Sequence, residues 1–182
     1  MPRTGVGWEF HIVRQSEQQR GERKRTVGRY QVFHDGVAQA GAEMSGMVAE
    51  TKGPGLNRPE DNGRRVEQGN YPLSTQDGGK YKTWGYVDSN DPDLGPKPGL
   101  ELNSTGERTE ILMHPGNGFL RSVGCINPCM SLPDAGEDIT YSLSRRRTIA
   151  IIEDLKTYLG ADFPSTNGRR IPRATVVIDG EP

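Results

Sequence analysis

Hydrophobic and polar residues alternate near both ends of the chain, as they do in strands that bury one face. The alternation predicts strands at 8–13, 29–33, 44–51 and 174–178. The turn signal His34-Asp-Gly36 follows the second of them. Between the first two strands, residues 14–26 are polar and charged, and we expect a loop or the end of a hairpin there.

The middle of the chain is rich in residues that break helices. Glycine and proline recur throughout 41–136, so a long helical bundle is unfavourable and short strands joined by turns fit better. Extended pieces are predicted at 64–67, 71–74, 81–87, 100–103 and 109–114.

Only the segment 142–159 has a helical period. Its apolar residues recur at the spacing of one helix face: Leu143, Ile149, Ile152, Leu155 and Leu159. Ser142 or Ser144 is suited to cap the helix start, and Gly160 is suited to its end. The predicted fold class is therefore mainly β with one C-terminal helix (α+β), in a single domain over residues 1–182.

Charge and composition narrow the function classes. Lys plus Arg number 23 against 24 Asp plus Glu, a net charge of −1, which lacks the basic excess of nucleic-acid-binding proteins. We expect the basic runs 20–25 and 145–147 to be solvated faces. No apolar run is long enough to span a membrane, and the N-terminus has no hydrophobic signal core. We therefore expect synthesis in the cytoplasm, so that action in the periplasm or cell wall would require non-classical export.

The two cysteines, Cys125 and Cys129, are too few and too close together for a disulfide framework. With His114 they make only three ligands, whereas a structural zinc site takes four, so no metal and no other cofactor is predicted. Cys129 is interpreted as a buried structural residue, with a resolving thiol as the alternative.

The stretch 111–128 carries the candidate chemistry. A strand ends at His114, a loop of ten residues follows, and Cys125 comes directly after Gly124. If the loop folds back, the imidazole meets the thiol and stabilises a thiolate, because a thiol near pKa 8.5 is otherwise a poor nucleophile. Gly124 would leave room for a substrate carbonyl, and backbone N–H groups near the sulfur would hold an oxyanion. The alternative is a buried structural cysteine with a hydrogen-bonded surface histidine.

The run Ser122-Val-Gly-Cys-Ile-Asn127 resembles the Ser-x-Gly-Cys-[Ile/Val]-[Asn/Arg] signature of L,D-transpeptidase (YkuD-like) catalytic domains. Those domains carry a strand-borne histidine upstream, and the step at 67–73 is similar to their Pro-x-Gly-x-Tyr/Phe step. The pattern His-x-Gly-Asn…Gly-Cys-Ile, with eleven positions from His to Cys, is still more similar to compact phage and bacterial relatives of uncertain function. The resemblance covers about 50–130, within a motif-bearing part of about 50–135.

Three features depart from the family pattern. The loop from histidine to cysteine is shorter than in typical transpeptidases. Val123 stands where a second histidine is often found, and the upstream step at 67–73 lacks the proline of the family pattern. These departures leave the reaction outcome and the substrate open.

The resemblance implies an L,D-transpeptidase-like β-sandwich with a defined set of roles. Cys125 would be the nucleophile, His114 its base, and the Pro115 carbonyl would orient the imidazole. Ser122 and Gly124 would shape the oxyanion site, although Ser122 is equally suited to a turn.

Four residues are candidates for substrate binding: Gly116, Asn117, Arg121 and Trp84. Asn117 and Arg121 are equally suited to stabilising a loop and facing solvent, respectively. Trp84 shares a predicted strand face with Tyr86, where core packing is the alternative.

The implied function is cysteine-dependent acyl transfer or hydrolysis on peptidoglycan stem peptides, of the L,D-transpeptidase or L,D-carboxypeptidase type. The alternative is a non-catalytic structural or cell-wall-binding module of a phage or secretion apparatus. A cognate immunity or assembly partner is expected if the protein is an effector or a phage component.

Overall fold

Strands dominate the computed structural model, which describes residues 2–182. The strands are β1 (Trp8–Arg20), β2 (Arg23–His34), β3 (Val37–Ala38), β4 (Ser45–Thr51), β5 (Gly69–Thr75), β6 (Tyr81–Lys82), β7 (Lys97–Pro98), β8 (Leu100–Leu102), β9 (Leu112–Met113), β10 (Asn127–Cys129) and β11 (Arg170–Asp179). The helix α1 (Tyr141–Leu159) is followed by a 3-10 turn at Gly160–Asp162. The predicted class, mainly β with one C-terminal helix, is confirmed.

Nine strands form one sheet that is nearly closed. Its order is β10-β4-β2-β1-β11-β5-β8-β9, with β3 beside β2, while β6 and β7 form a separate pair. The two ends of the order meet where Met113 and Ile126 form a parallel bridge. There the His114 N–H donates to Ile126 O at 3.0 Å, and the Ile126 N–H donates to Leu112 O at 2.8 Å. The closure of the sheet therefore brings the predicted histidine and cysteine segments side by side.

Residues 14–26 were predicted to form a loop or the end of a hairpin, and only the turn between Arg20 and Arg23 fits that prediction. Strands β1 and β2 run through this segment as one long hairpin because two of its arginines are buried with partners. The Arg14 guanidinium forms a bidentate pair with Glu50, at 2.7 and 2.8 Å. Arg25 lies over the Phe119 ring at 4.4 Å and donates to backbone carbonyls. The prediction that 20–25 is a solvated face is wrong for Arg25.

The helix lies where the periodicity placed it, but its buried face is rotated. Thr140, rather than Ser142 or Ser144, is the N-cap residue, while Gly160 is the C-cap as predicted. Leu143 and Ile149 are only half-buried. The buried positions are Tyr141, Ser144, Arg145, Arg147, Thr148, Ile151, Ile152, Leu155 and Leu159. The basic run 145–147 is therefore largely buried rather than solvated. No helix in the described range is long and apolar enough to cross a membrane.

The buried pair of Arg14 and Glu50 should contribute strongly to stability. We expect Glu50→Gln to lower the free energy of unfolding by about 3 kcal/mol, because it leaves the buried Arg14 charge with only the part-exposed Glu181 carboxylate, at 2.9 Å, as a counter-charge. Asp138→Asn is the matched control, since the Arg20–Asp138 pair is exposed and is worth about 0–1 kcal/mol. Urea denaturation measures both variants, and equal losses would contradict this view of the buried pair.

Candidate functional site

His114 and Cys125 project from the same side of the sheet closure. Met113 and Ile126 are paired and fully buried in the core. Side chains alternate along extended backbone, so the flanking residues Leu112, His114 and Cys125 face the opposite way. His114 and Cys125 are therefore diagonal neighbours on that face.

The imidazole of His114 is fixed in one orientation. Its Nδ1 lies 2.8 Å from Pro115 O, which is the contact that the resemblance implies. A carbonyl only accepts, so Nδ1 carries the proton and Nε2 keeps the basic lone pair. The Tyr81 ring packs on the imidazole, with 4.2 Å between ring centroids. Burial lowers the pKa of His114 to about 4, so the ring is neutral at pH 7.

Asn127 and Ser122 support the histidine from the cysteine strand. Asn127 Nδ2 donates to His114 O at 3.0 Å, and Ser122 Oγ donates to Asn127 Oδ1 at 3.0 Å. Ser122 therefore acts as a positioning residue for Asn127, and its hydroxyl is not an oxyanion donor in this arrangement. Asn127 occupies the final position of the signature, where its amide ties the two strands together.

The thiol of Cys125 is protonated and turned towards Glu110. Its Sγ accepts from the Leu112 N–H at 3.4 Å and donates to Glu110 O at 3.7 Å. Burial raises its pKa to about 11, against the opposing effects of the Leu112 N–H and the Arg108 charge. No hydrogen bond joins Cys125 to His114 among the contacts of the described chain. The thiolate–imidazolium pair expected from the sequence is thus absent, because burial keeps both groups neutral.

Gly124 is required for a different reason from the one predicted. A Cβ there would collide with the Arg108 guanidinium, and the backbone φ of 88° favours glycine. Its N–H donates to Thr51 Oγ1 at 2.7 Å and is not available to an oxyanion. The Cys125 N–H makes no hydrogen bond within residues 2–182, so it is the better candidate donor.

A pocket of about 380 Å³ opens beside the sulfur. Its wall includes Gln76, Gly79, Lys80, Tyr81, Glu110 and Cys125. The Gln76 side chain is almost fully buried, yet its amide has no hydrogen-bond partner in the part of the chain described. This amide is therefore available to bind a ligand in the pocket.

Two of the predicted substrate-binding residues lie away from this pocket. Trp84 packs edge-on against Phe163, and its Nε1 donates to Pro164 O at 2.8 Å, so the tryptophan anchors a loop. Gly116 is buried, and a Cβ there would lie 2.8 Å from the Asn127 Cβ, so the glycine serves close packing.

The other two, Asn117 and Arg121, follow the histidine in the loop that leads to Cys125. Asn117 is half-buried, and its side chain makes no hydrogen bond in the described structure. Arg121 pairs with Asp93 at 2.8 Å and borders a second pocket next to the first.

Cys129 has a separate environment. Its Sγ donates to Met47 O at 3.4 Å, and burial raises its pKa to about 12. It lines another pocket, of about 310 Å³, with Glu137 and Asp138 and without a histidine. Across residues 2–182, no group of three or more His, Cys, Asp or Glu residues is arranged to hold a metal.

The sequence reasoning missed Gln76, Tyr81, Arg108 and Glu110. Gln76 and Tyr81 come from a separate part of the chain, whereas Arg108 and Glu110 come from just before the stretch 111–128, and no motif marks any of the four. Of the four, only Glu110 has an unusual backbone conformation, with a positive φ of 52°. Its carbonyl accepts the hydrogen bond from the Cys125 thiol.

Comparisons with protein-family models, curated proteins and solved structures found no match to this chain.

The buried neutral histidine predicts a loss of stability in acid. The unfolded chain binds a proton at His114 near pH 6.5, whereas the folded protein binds it only near pH 4. The part of the stability that depends on a neutral His114 is therefore fully present above pH 6.5, and it is lost as the pH falls from 6.5 through about 4. We expect the free energy of unfolding of the wild type, relative to His114→Gln, to fall by about 3 kcal/mol over that range. Urea denaturation at a series of pH values measures it, and a difference that does not change with pH would contradict the buried neutral ring.

Proposed function

We propose that this protein is an L,D-transpeptidase-like enzyme, with the related β-sandwich fold, that performs cysteine-dependent acyl transfer or hydrolysis on peptidoglycan stem peptides. One observation carries the proposal. His114, with its Nδ1–H bonded to the Pro115 carbonyl, is a diagonal neighbour of Cys125 across the sheet closure. Cys125 and the Tyr81 ring that packs on the imidazole both border a pocket. This is the arrangement of a base and a nucleophile around a space for a substrate.

The reaction begins from a neutral pair. The thiol rotates from the Glu110 carbonyl towards His114 Nε2, which takes its proton as the sulfur attacks a peptide carbonyl next to a D-centre. A carbon–sulfur bond forms, and the carbon–nitrogen bond breaks as His114 returns the proton to the leaving amine. The thioester then passes its acyl group to an amine or to water, which gives up its proton to His114, and the thiol is regenerated.

Other groups around the sulfur stabilise the charges that develop. The Cys125 N–H, which makes no hydrogen bond within residues 2–182, would donate to the oxyanion. Arg108 lies behind Gly124, and its charge favours the thiolate form of Cys125. The Gln76 amide is available to a polar group of the bound peptide, and the Tyr81 ring keeps water from one side of the imidazole.

Product analysis after digestion of purified sacculi and defined muropeptides tests the proposal. Loss of a terminal D-residue would indicate hydrolysis, and its exchange for an added D-amino acid would indicate transfer. If the muropeptides are unchanged after prolonged incubation, the proposed activity is wrong. An effector of this kind would have a cognate immunity or assembly partner.

The burial and protonation of the Cys125 thiol favour a second candidate function. Cys125 is buried and protonated, and it donates to Glu110 rather than to His114. A non-catalytic cell-wall-binding or structural module of a phage or secretion apparatus would keep such a residue. Sedimentation with sacculi separates the candidates, because a binding module would be retained without altering the muropeptides.

A further inference from the structure

A second pocket, of about 490 Å³, lies next to the cysteine pocket. Gly79, Lys80 and Tyr81 border both pockets, so the two spaces adjoin along this turn. The second pocket is also bordered by Lys97 and Arg121.

The border of this second pocket carries an excess of positive charge. Arg121 is paired with Asp93 at 2.8 Å, whereas neither Lys80 nor Lys97 has an ion-pair partner among the described residues. The three cations and one carboxylate leave a net charge of +2 in a chain whose net charge is −1. Burial, and then the neighbouring Arg121 charge, lower the pKa of Lys97. A bound anion would relieve this repulsion.

The backbone holds Lys97 close to the candidate catalytic pair. Strands β6 and β7 are parallel, with Tyr81 opposite Lys97, and the Lys97 N–H donates to Lys80 O at 2.8 Å. Lys97 Nζ lies 5.8 Å from the centroid of the Tyr81 ring, and that ring packs on His114. An anion bound to Lys97 would therefore have the Tyr81 ring between it and the His114 imidazole.

We propose that Lys97 and Lys80, with Arg121 at the rim, bind a carboxylate of the peptide substrate and hold it next to the bond that Cys125 attacks. The assignment of that bond rests on the proposed function, but the binding of the carboxylate does not require turnover. The substrate class is thus a short peptide with a free carboxylate close to the scissile bond. The carboxylate belongs either to the chain terminus or to an acidic side chain.

Peptide binding to the Cys125→Ala variant tests this site in the absence of turnover. The probes are N-acetyl-L-alanyl-D-alanine, its C-terminal amide, and N-acetyl-L-alanyl-D-glutamate with an amidated terminus and a free side chain. We expect at least one of the two acids to bind about tenfold more tightly than the neutral amide, and the stronger acid identifies the source of the carboxylate.

Adding Lys97→Met should remove this preference for the acid while leaving the affinity for the amide unchanged. Lys24→Met, at an exposed position of β2 that borders neither pocket, is the matched control and should preserve the preference. Lys80→Met supplies a second variant at an exposed position and should weaken acid binding in the same direction. Raising the salt concentration from about 50 to about 500 mM should weaken acid binding alone.

Equal affinity for acids and amide, or an acid preference that survives both lysine substitutions, would overturn the carboxylate site. These readouts are separate from activity. Failure of the sacculus digestion with intact acid binding would refute the proposed reaction and leave the site standing.

Discussion

Replacing Cys125 with alanine is expected to abolish turnover of stem-peptide substrates, with a loss of at least about a thousandfold. Without the sulfur no thioester forms, and no other thiol borders this pocket. The fold should persist, because the substitution removes only two weak sulfur contacts, at 3.4 and 3.7 Å. Initial rates from chromatography of muropeptides, with melting curves of both proteins, measure the effect.

Cys129→Ala is the matched control for this prediction. Its sulfur contacts Met47 O and lies in a separate hydrophobic cluster, so most of the activity should remain. A wild-type rate in Cys125→Ala, or equal losses in the two variants, would reject Cys125 as the nucleophile.

Replacing His114 with glutamine should lower kcat by about 10²–10⁴-fold, the range typical of a lost general base. Because the base works only when unprotonated, the wild-type rate should decline as the pH falls through about 4. The variant should lack this acid limb. Its rate should recover towards pH 11, where the Cys125 thiol ionises without a base.

A pH–rate profile from pH 3.5 to about 11, on wild type and variant, tests this second prediction. His34→Gln is the matched control, since His34 pairs with Asp154 far from the pocket and should not affect the profile. An unchanged rate in His114→Gln would make His114 structural. A wild-type acid limb at the ordinary histidine pKa of 6.5 would contradict the buried neutral ring.

Local patterns predicted the helix and the long strands well, whereas the extended pieces predicted at 64–67 and over 83–87 lie outside every strand. The apolar period at 142–159 and the glycine at 160 marked a helix that the structure places at Tyr141–Leu159. Alternation located the strands at both ends of the chain because each buries one face of the sheet.

Patterns failed where charged or polar residues are buried by distant partners. The bidentate pair of Arg14 with Glu50 extends a strand through a run that looks like a solvated loop. Ser144 is on the buried helix face because its hydroxyl accepts from the Gly116 N–H and donates to Pro128 O. Both contacts join residues far apart in sequence, so hydropathy alone gives no sign of them.

As with the fold, only the local features of the candidate site were predictable from the sequence. The contact of His114 with the Pro115 carbonyl is between adjacent residues, and it was expected from the resemblance. Gly124 faces Arg108 rather than an open space, and Trp84 packs on Phe163 rather than in the pocket. These outcomes depend on how the chain folds back on itself.

The protonation states also depend on tertiary structure. Sequence reasoning expected an ion pair, since it used the pKa of an exposed thiol. Burial in the folded protein instead keeps Cys125 as a thiol and His114 as a neutral imidazole.

The most direct test of a catalytic Cys125 is the intact mass of the protein during reaction with a stem tetrapeptide. The account predicts a transient adduct equal to the donor peptide without its terminal D-residue, attached to Cys125 and released by hydroxylamine. Peptide mapping of the quenched sample locates the adduct. Consumption of the peptide without such an adduct in wild type, together with full turnover by Cys125→Ala, would contradict the account.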